Sequence, residues 1–110
     1  MNVNKIFEAL SSAPRRRILA YLSKTDMTAG DIGKRFEMSQ PAVSKHLSVL
    51  ENAGIVWRQK RGQHVHYGLV QEALSATLVH FLAEVCPRSR PLRRESAAAA
   101  SSKRRTRVSV

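Results

Sequence analysis

The sequence predicts a small, mainly α-helical fold carrying one β-hairpin, and three observations predict it. Apolar residues recur at steps of three and four along several separate stretches. One stretch alternates instead, Val65, Tyr67 and Leu69 against His64 and His66, after a turn at Arg61-Gly62-Gln63. At 110 residues the chain reads as one domain, large enough for a core yet small enough to gain from self-association.

Each element has its own signal. Val3, Ile6, Phe7 and Leu10 sit at helical spacing and give a short first helix. Ser12 is the expected N-cap of the second, Pro14 is tolerated in its first turn, and Ile18, Leu19 and Leu22 form its buried face. Thr28 caps the third helix, with Asp31 closing a variant capping box and Ile32 and Phe36 as apolar contacts. Met38 fills the next turn, and Ser39 caps the fourth helix, which Gly54 closes. Two strands follow at 56–60 and 65–69. A last helix over 71–86 carries Leu74, Leu78, Phe81, Leu82 and Val85, and Pro87 ends it. The predicted whole is about five helices plus a two-stranded wing.

Residues 28–69 therefore hold two short helices across a tight turn, then a basic hairpin with glycine at its tip. That order is the layout of a winged helix-turn-helix, whose second helix enters the DNA major groove. Placing the fourth helix at about 100° per residue puts Val43, Leu47 and Leu50 on one face, with His46 leaning toward them. Pro41, Ser44, Lys45 and Ser48 lie opposite, and Gln40 sits at the N-terminal edge. Gln40, Ser44 and Lys45 suit base edges, whereas Ser39 and the free backbone N–H groups at the helix start suit a phosphate oxygen. Arg58, Lys60, Arg61, Gln63 and His64 cluster near the hairpin turn and form a candidate phosphate or minor-groove contact.

Charge agrees with double-stranded DNA as the partner. The chain carries a net +11, unevenly spread. Residues 1–86 hold 11 Lys/Arg against 7 Asp/Glu, or +4, and residues 87–110 hold 8 against 1, or +7. A folded domain at 1–86 followed by a disordered, basic arm at 87–110 is the expected organisation. The arm can attract phosphate but cannot choose a sequence. No run approaches the roughly 20 apolar residues of a membrane span. The opening MNVNKIFEAL lacks a signal-peptide core, and a single cysteine fits a reducing cytoplasm, so a cytoplasmic, nucleoid-associated protein is expected. There is no Ser/His/Asp or Cys/His arrangement at useful spacing, no glycine-rich phosphate loop and no carboxylate pair in an apolar setting, so an enzyme is not expected.

The segments ALSSAPRRRIL (9–19), SQPAVSKHLSVLENAGIV (39–56) and RGQHVHYGL (61–69) resemble the ArsR/SmtB family of bacterial winged-helix repressors. The first 32 residues are most similar to its metal-independent, SdpR-like autorepressor branch. The resemblance implies a homodimer that binds an imperfect inverted repeat, blocks transcription and regulates its own gene, pairing through the first and last helices. Ser12-Ala13-Pro14 stands where the family has Asp-Pro, and Met27-Thr28-Ala29-Gly30-Asp31 offers no thiol where metal sensors carry a cysteine pair.

That pairing would use Val3, Ile6, Phe7 and Leu10 with Leu74, Leu78, Phe81, Leu82 and Val85. His64 with His66, and His80 with Glu84, each offer two metal ligands where a closed zinc site needs four, so neither a metal nor another cofactor is expected. Cys86 could bridge two subunits as a redox sensor, or could simply be a small apolar residue at a helix end. No residue names an effector. The alternative reading is a low-specificity architectural DNA-binding protein, which the basic arm favours and the polar reading face opposes.

Overall fold

The computed structural model describes residues 2–86, so Pro87 and the basic arm expected at 87–110 lie outside the described residues. In order, the elements are α1 (Val3–Leu10), α2 (Ala13–Leu22), β1 (Met27–Thr28), α3 (Ala29–Phe36), α4 (Gln40–Asn52), β2 (Val56–Arg61), β3 (His64–Leu69) and α5 (Gln71–Val85). The expected helices are all present. The wing differs: it is a three-stranded antiparallel sheet in the order β1-β3-β2, with Met27 opposite Tyr67 and Thr28 opposite His66. Two residues are too few to show alternation, which is why β1 left no periodic signal in the sequence.

Local chemistry sets the helix ends. The Asn2 side chain accepts from the Lys5 N–H at 3.0 Å, a cap that sequence reading missed. Ser12 accepts from the Arg15 N–H, and Ser39 from the Ala42 N–H. Thr28 and Asp31 close the capping box in both directions, at 3.1 and 3.3 Å. These hydrogen bonds satisfy donors that a helix start leaves open, each contributing on the order of 1 kcal/mol. At the far end of α4, Gly54 takes φ +81 beyond the Ala53 cap. Its N–H donates to the Glu51 carbonyl while that of Ile55 reaches Leu50, a Schellman closure.

Ile6, Ile18, Ile32, Val43, Leu47, Leu50 and Ile55 are the largest fully buried side chains, drawn from the first four helices and the residue before β2. Burial of one such side chain stabilises by about 1.5–3 kcal/mol, so this core, rather than propensity, holds helices as short as α1 and α3. Tyr21 and Phe36 meet edge to face at 5.2 Å, and the Arg35 guanidinium lies over the Tyr21 ring, 4.9 Å from its centre. Those contacts fix the end of α3 just before the turn into α4.

The chain divides into two compact units, the first ending at Thr77 and the second beginning at Leu78, within α5. Within the first unit Ile6 is fully buried and cannot face a second subunit, which corrects its expected place in a dimer seam. With only eight residues, α1 must spend its inward positions, Ile6 and Ala9, on the protomer's own core. Leu10 and Leu74 also pack against that core as half-buried side chains. Phe7 is half-buried and Val3 is exposed. In the second unit Leu78, Val79, Phe81, Leu82 and Val85 are 36% to 59% exposed. Val79 was absent from the expected stripe.

Candidate nucleic-acid interface

The helix-turn-helix is α3, the turn Glu37-Met38-Ser39, and α4. Glu37 holds φ 54 and ψ 45, the left-handed geometry that reverses the chain sharply here. Gly33 lets the two helices approach. A Cβ on Gly33 would collide with the Gln40 amide and come within 3.2 Å of the Met38 carbonyl. The Gln40 Nε2 donates at 3.4 Å to the Ala29 carbonyl, so this side chain lies back on α3. Gln40 thus starts α4 as expected, but reaching a base edge requires it to swing outward.

The rest of the expected reading face stands as a group on the outer side of α4. Pro41, Ser44, Lys45 and Ser48 are exposed, whereas Val43, Leu47 and Leu50 are buried behind them. Ser39 is exposed too, with its hydroxyl engaged in the cap. His46 is half-buried and meets Arg15 from α2, with Nη1 3.4 Å from Nδ1. Because arginine is only a donor, this contact needs Nδ1 as the acceptor and the imidazole neutral. Burial, then the charges of Arg15 and Lys45, push the His46 pKa below its usual value and favour that form. Arg15 also donates from Nε to the Ala9 carbonyl at 2.8 Å and from Nη2 to that of Glu8 at 3.1 Å. It therefore ties the last turn of α1 to the middle of α4, a link across 31 positions that no local pattern could reveal.

The wing sorts its cations onto two faces. Val56, Arg58 and Lys60 oppose Leu69, Tyr67 and Val65, while Trp57, Gln59 and Arg61 oppose Gly68, His66 and His64. Directly opposed residues share a face, so Arg58 and Lys60 stand apart from Arg61 and His64. A hydrogen bond with Tyr67, assisted by the charge of Glu51, raises the Arg58 pKa and keeps it cationic. Gly62 (φ +63) and Gln63 make the two-residue turn, and Lys60, Arg61, Gln63 and His64 are all exposed around it.

Arg61 has partners within the wing. Its Nη1 pairs with Asp26 Oδ2 at 2.9 Å, its Nε donates to Gln59 Oε1 at 3.0 Å, and its guanidinium lies 5.6 Å from the Trp57 ring centre. Trp57 in turn lies flat against Gly68, where a side chain would strike the indole. These contacts make Trp57 a packing residue of the sheet. Asp26, which no motif or spacing singles out, is the acidic partner of Arg61.

Among the described residues no group of three or more His, Cys, Asp or Glu side chains comes together in a form that could hold a metal ion. His80 and Glu84 form an exposed pair at 3.3 Å, and Cys86 is an exposed cysteine just past α5. Among the described residues no helix is long and apolar enough to cross a membrane.

Comparison with known proteins matches this geometry. Residues 12–57, from the α2 cap into β2, match the profile of bacterial regulatory proteins of the arsR family. The chain is 42% identical over 67 residues to the transcriptional repressor SdpR of Bacillus subtilis, covering 61% of this chain and 74% of that one. It is 32% identical over 73 residues to the transcriptional activator HlyU of Vibrio cholerae, covering 66% and 68%. An ArsR-like transcriptional regulator from Rhodococcus sp. RHA1 superposes with a TM-score of 0.71 at 28% identity, over 88% of this chain and 92% of that one. The chain belongs to the arsR family of bacterial regulatory proteins, a family of DNA-binding transcriptional regulators rather than enzymes.

Proposed function

We propose that this protein is a sequence-specific transcriptional repressor that binds an inverted-repeat operator as a homodimer and regulates its own gene. The observation that carries the reading is α4: capped, buried along one face, and open along Pro41, Ser44, Lys45 and Ser48 on the other. Ser44 and Lys45, with Gln40 once released from α3, read base edges, and the Ser39 end of the helix meets a phosphate. Arg58, Lys60, Gln63 and His64 anchor the hairpin on the DNA backbone. The direction of control follows SdpR, a repressor, over HlyU, an activator, because the identity to SdpR is higher. Repression comes from occupying DNA that RNA polymerase needs.

Homodimerisation is supported by the apolar side chains that the second unit leaves exposed on α5, Leu78, Val79, Phe81, Leu82 and Val85. Two identical reading helices then face two half-sites about one helical turn apart, which is why an inverted repeat is the matching target. The domain at 1–86 does the reading; the basic residues of 87–110 add phosphate attraction and faster association. The protein works in the cytoplasm, on the nucleoid.

Selection of bound duplexes from a random library, with the full chain and with a Gln40→Ala/Lys45→Ala variant, tests the reading. The full chain is expected to enrich one inverted repeat, bound at least about 10³-fold more tightly than unrelated DNA. The variant should lose that enrichment while keeping its helical circular dichroism. No enriched motif from the full chain overturns the proposal in favour of an architectural protein.

A further inference from the structure

Arg61 is the last residue of β2, beside the hairpin turn, where a cation has the best reach toward a DNA backbone. Yet its fork is spent inside the protein. Asp26, 35 positions earlier in the loop between α2 and β1, takes Nη1, and Gln59 takes Nε. Each bidentate edge of a guanidinium needs Nη2 together with either Nη1 or Nε, so both edges have one position occupied. The charge is cancelled as well. A cation neutralised by its own carboxylate displaces no counterion from DNA and adds nothing to the salt dependence of binding.

The pair is also easy to open. The side chains of Arg61 and Asp26 remain 47% and 29% exposed, and ion pairs this exposed contribute little stability. Asp26 has a second neighbour ready on the other side. The His66 Nδ1 lies 3.8 Å from Asp26 Oδ1, is buried, and makes no hydrogen bond among the described residues.

We propose that Asp26 sets the DNA affinity of the wing by occupying Arg61 in place of a phosphate. The inference rests on the hairpin being a DNA-contacting wing. On removal of the Asp26 charge, Arg61 turns outward and neutralises one more phosphate. Asp26 is thus an affinity-determining residue that does not itself touch DNA.

The test measures binding of the full-length protein to a fluorescein-labelled mixed-sequence duplex of about 30 base pairs, between about 50 and 200 mM salt. Asp26→Asn is expected to tighten binding several-fold and to steepen the plot of log affinity against log salt by about 0.9. Asp26→Asn/Arg61→Gln should return the slope to that of the wild type. Glu8→Gln, an exposed acid on α1, makes the same net-charge change and should leave the slope nearly unaltered. Lys60→Ala reports on the wing itself and should flatten the slope by about one unit.

Weaker binding by Asp26→Asn would show that the carboxylate supports Arg61 rather than withholds it, and would overturn the proposal. Equal steepening by Glu8→Gln, or retention of the gain in the double variant, would reduce the effect to net charge and overturn it too. An unmoved slope in Asp26→Asn alongside a flattened one in Lys60→Ala refutes the inference and keeps the wing. Unmoved slopes in both refute the wing as well. Asp26→Ser, with melting followed by circular dichroism, separates any folding defect of a single variant from the loss of this carboxylate.

Discussion

Adding one methyl group at Gly68 should loosen the wing, and the structure sets the size of the effect. Gly68 is buried opposite Trp57, and its backbone is not in the left-handed region, so alanine meets no conformational penalty. The collision is purely with the indole, three of whose atoms stand where the new Cβ would go. Overpacking of this kind costs about 1–3 kcal/mol, and displacing the ring also loosens the Arg61 stack, worth about 0.5 kcal/mol at an exposed site. Against this, alanine restricts the unfolded chain and returns about 0.4–1 kcal/mol. The net loss is about 0.5–3 kcal/mol, or a fall in Tm of about 2–20 °C for a domain of this size. Thermal melts by circular dichroism measure it, and Trp57, the single tryptophan, reports its own displacement by fluorescence. A double-mutant cycle makes the test specific. In a Trp57→Leu background the ring is gone, and Gly68→Ala should then cost nothing or stabilise slightly. Equal cost in both backgrounds would refute the steric account.

Three further outcomes are expected. Glu37→Gly should raise stability by about 0.5–1 kcal/mol in urea unfolding, because glycine relieves a side chain held at φ 54; a lower midpoint would contradict it. His46 has a depressed pKa in the fold, so the unfolded chain takes up its proton first as pH falls below 6.5. Stability should therefore decline from that pH downward, and His46→Gln should flatten the decline; identical pH profiles would remove His46 from the account. Hydrogen bonds from the Thr28 backbone N–H and then its hydroxyl, with smaller help from Lys34 and His66, hold the Asp31 pKa below its usual 3.8. The support this gives α3 is present above that pH and is lost as pH falls through the lower folded value, a loss that Asp31→Asn should abolish in acid titrations of stability.

The parts of the fold visible in the sequence were those set by neighbours along the chain. Ser12, the Thr28–Asp31 box, Ser39 and Gly54 act within a few residues, so their types announce their roles. The two faces of α4 were equally plain, since helical spacing separates Val43, Leu47 and Leu50 from Ser44, Lys45 and Ser48. What stayed hidden was set through space. The Arg61–Asp26 pair, the Arg15–His46 contact and the pairing of Met27 with Tyr67 join residues tens of positions apart. Gln40 illustrates the difference within one side chain. Its place at the start of α4 follows from spacing, while its rest position on α3 depends on the bare backbone of Gly33. Ile6 failed as a seam residue for a related reason: periodicity finds an apolar face but does not say which neighbour will cover it.

The Schellman closure at Gly54 has a mechanical consequence. Ile55 donates back to Leu50 in α4, while its own carbonyl accepts from the Val70 N–H at 2.9 Å at the far foot of the hairpin. Both feet of the hairpin are thus fastened to the end of α4, and six-residue strands carry its tip about 20 Å away. On the proposed reading, these bonds set the spacing at which α4 and the tip meet a duplex, as the jaws of a caliper would. A duplex whose groove width and curvature already suit that opening would be gripped without being deformed, and a stiffer or wider one would have to bend first. Operator choice would then depend on base pairs that no side chain of this protein touches.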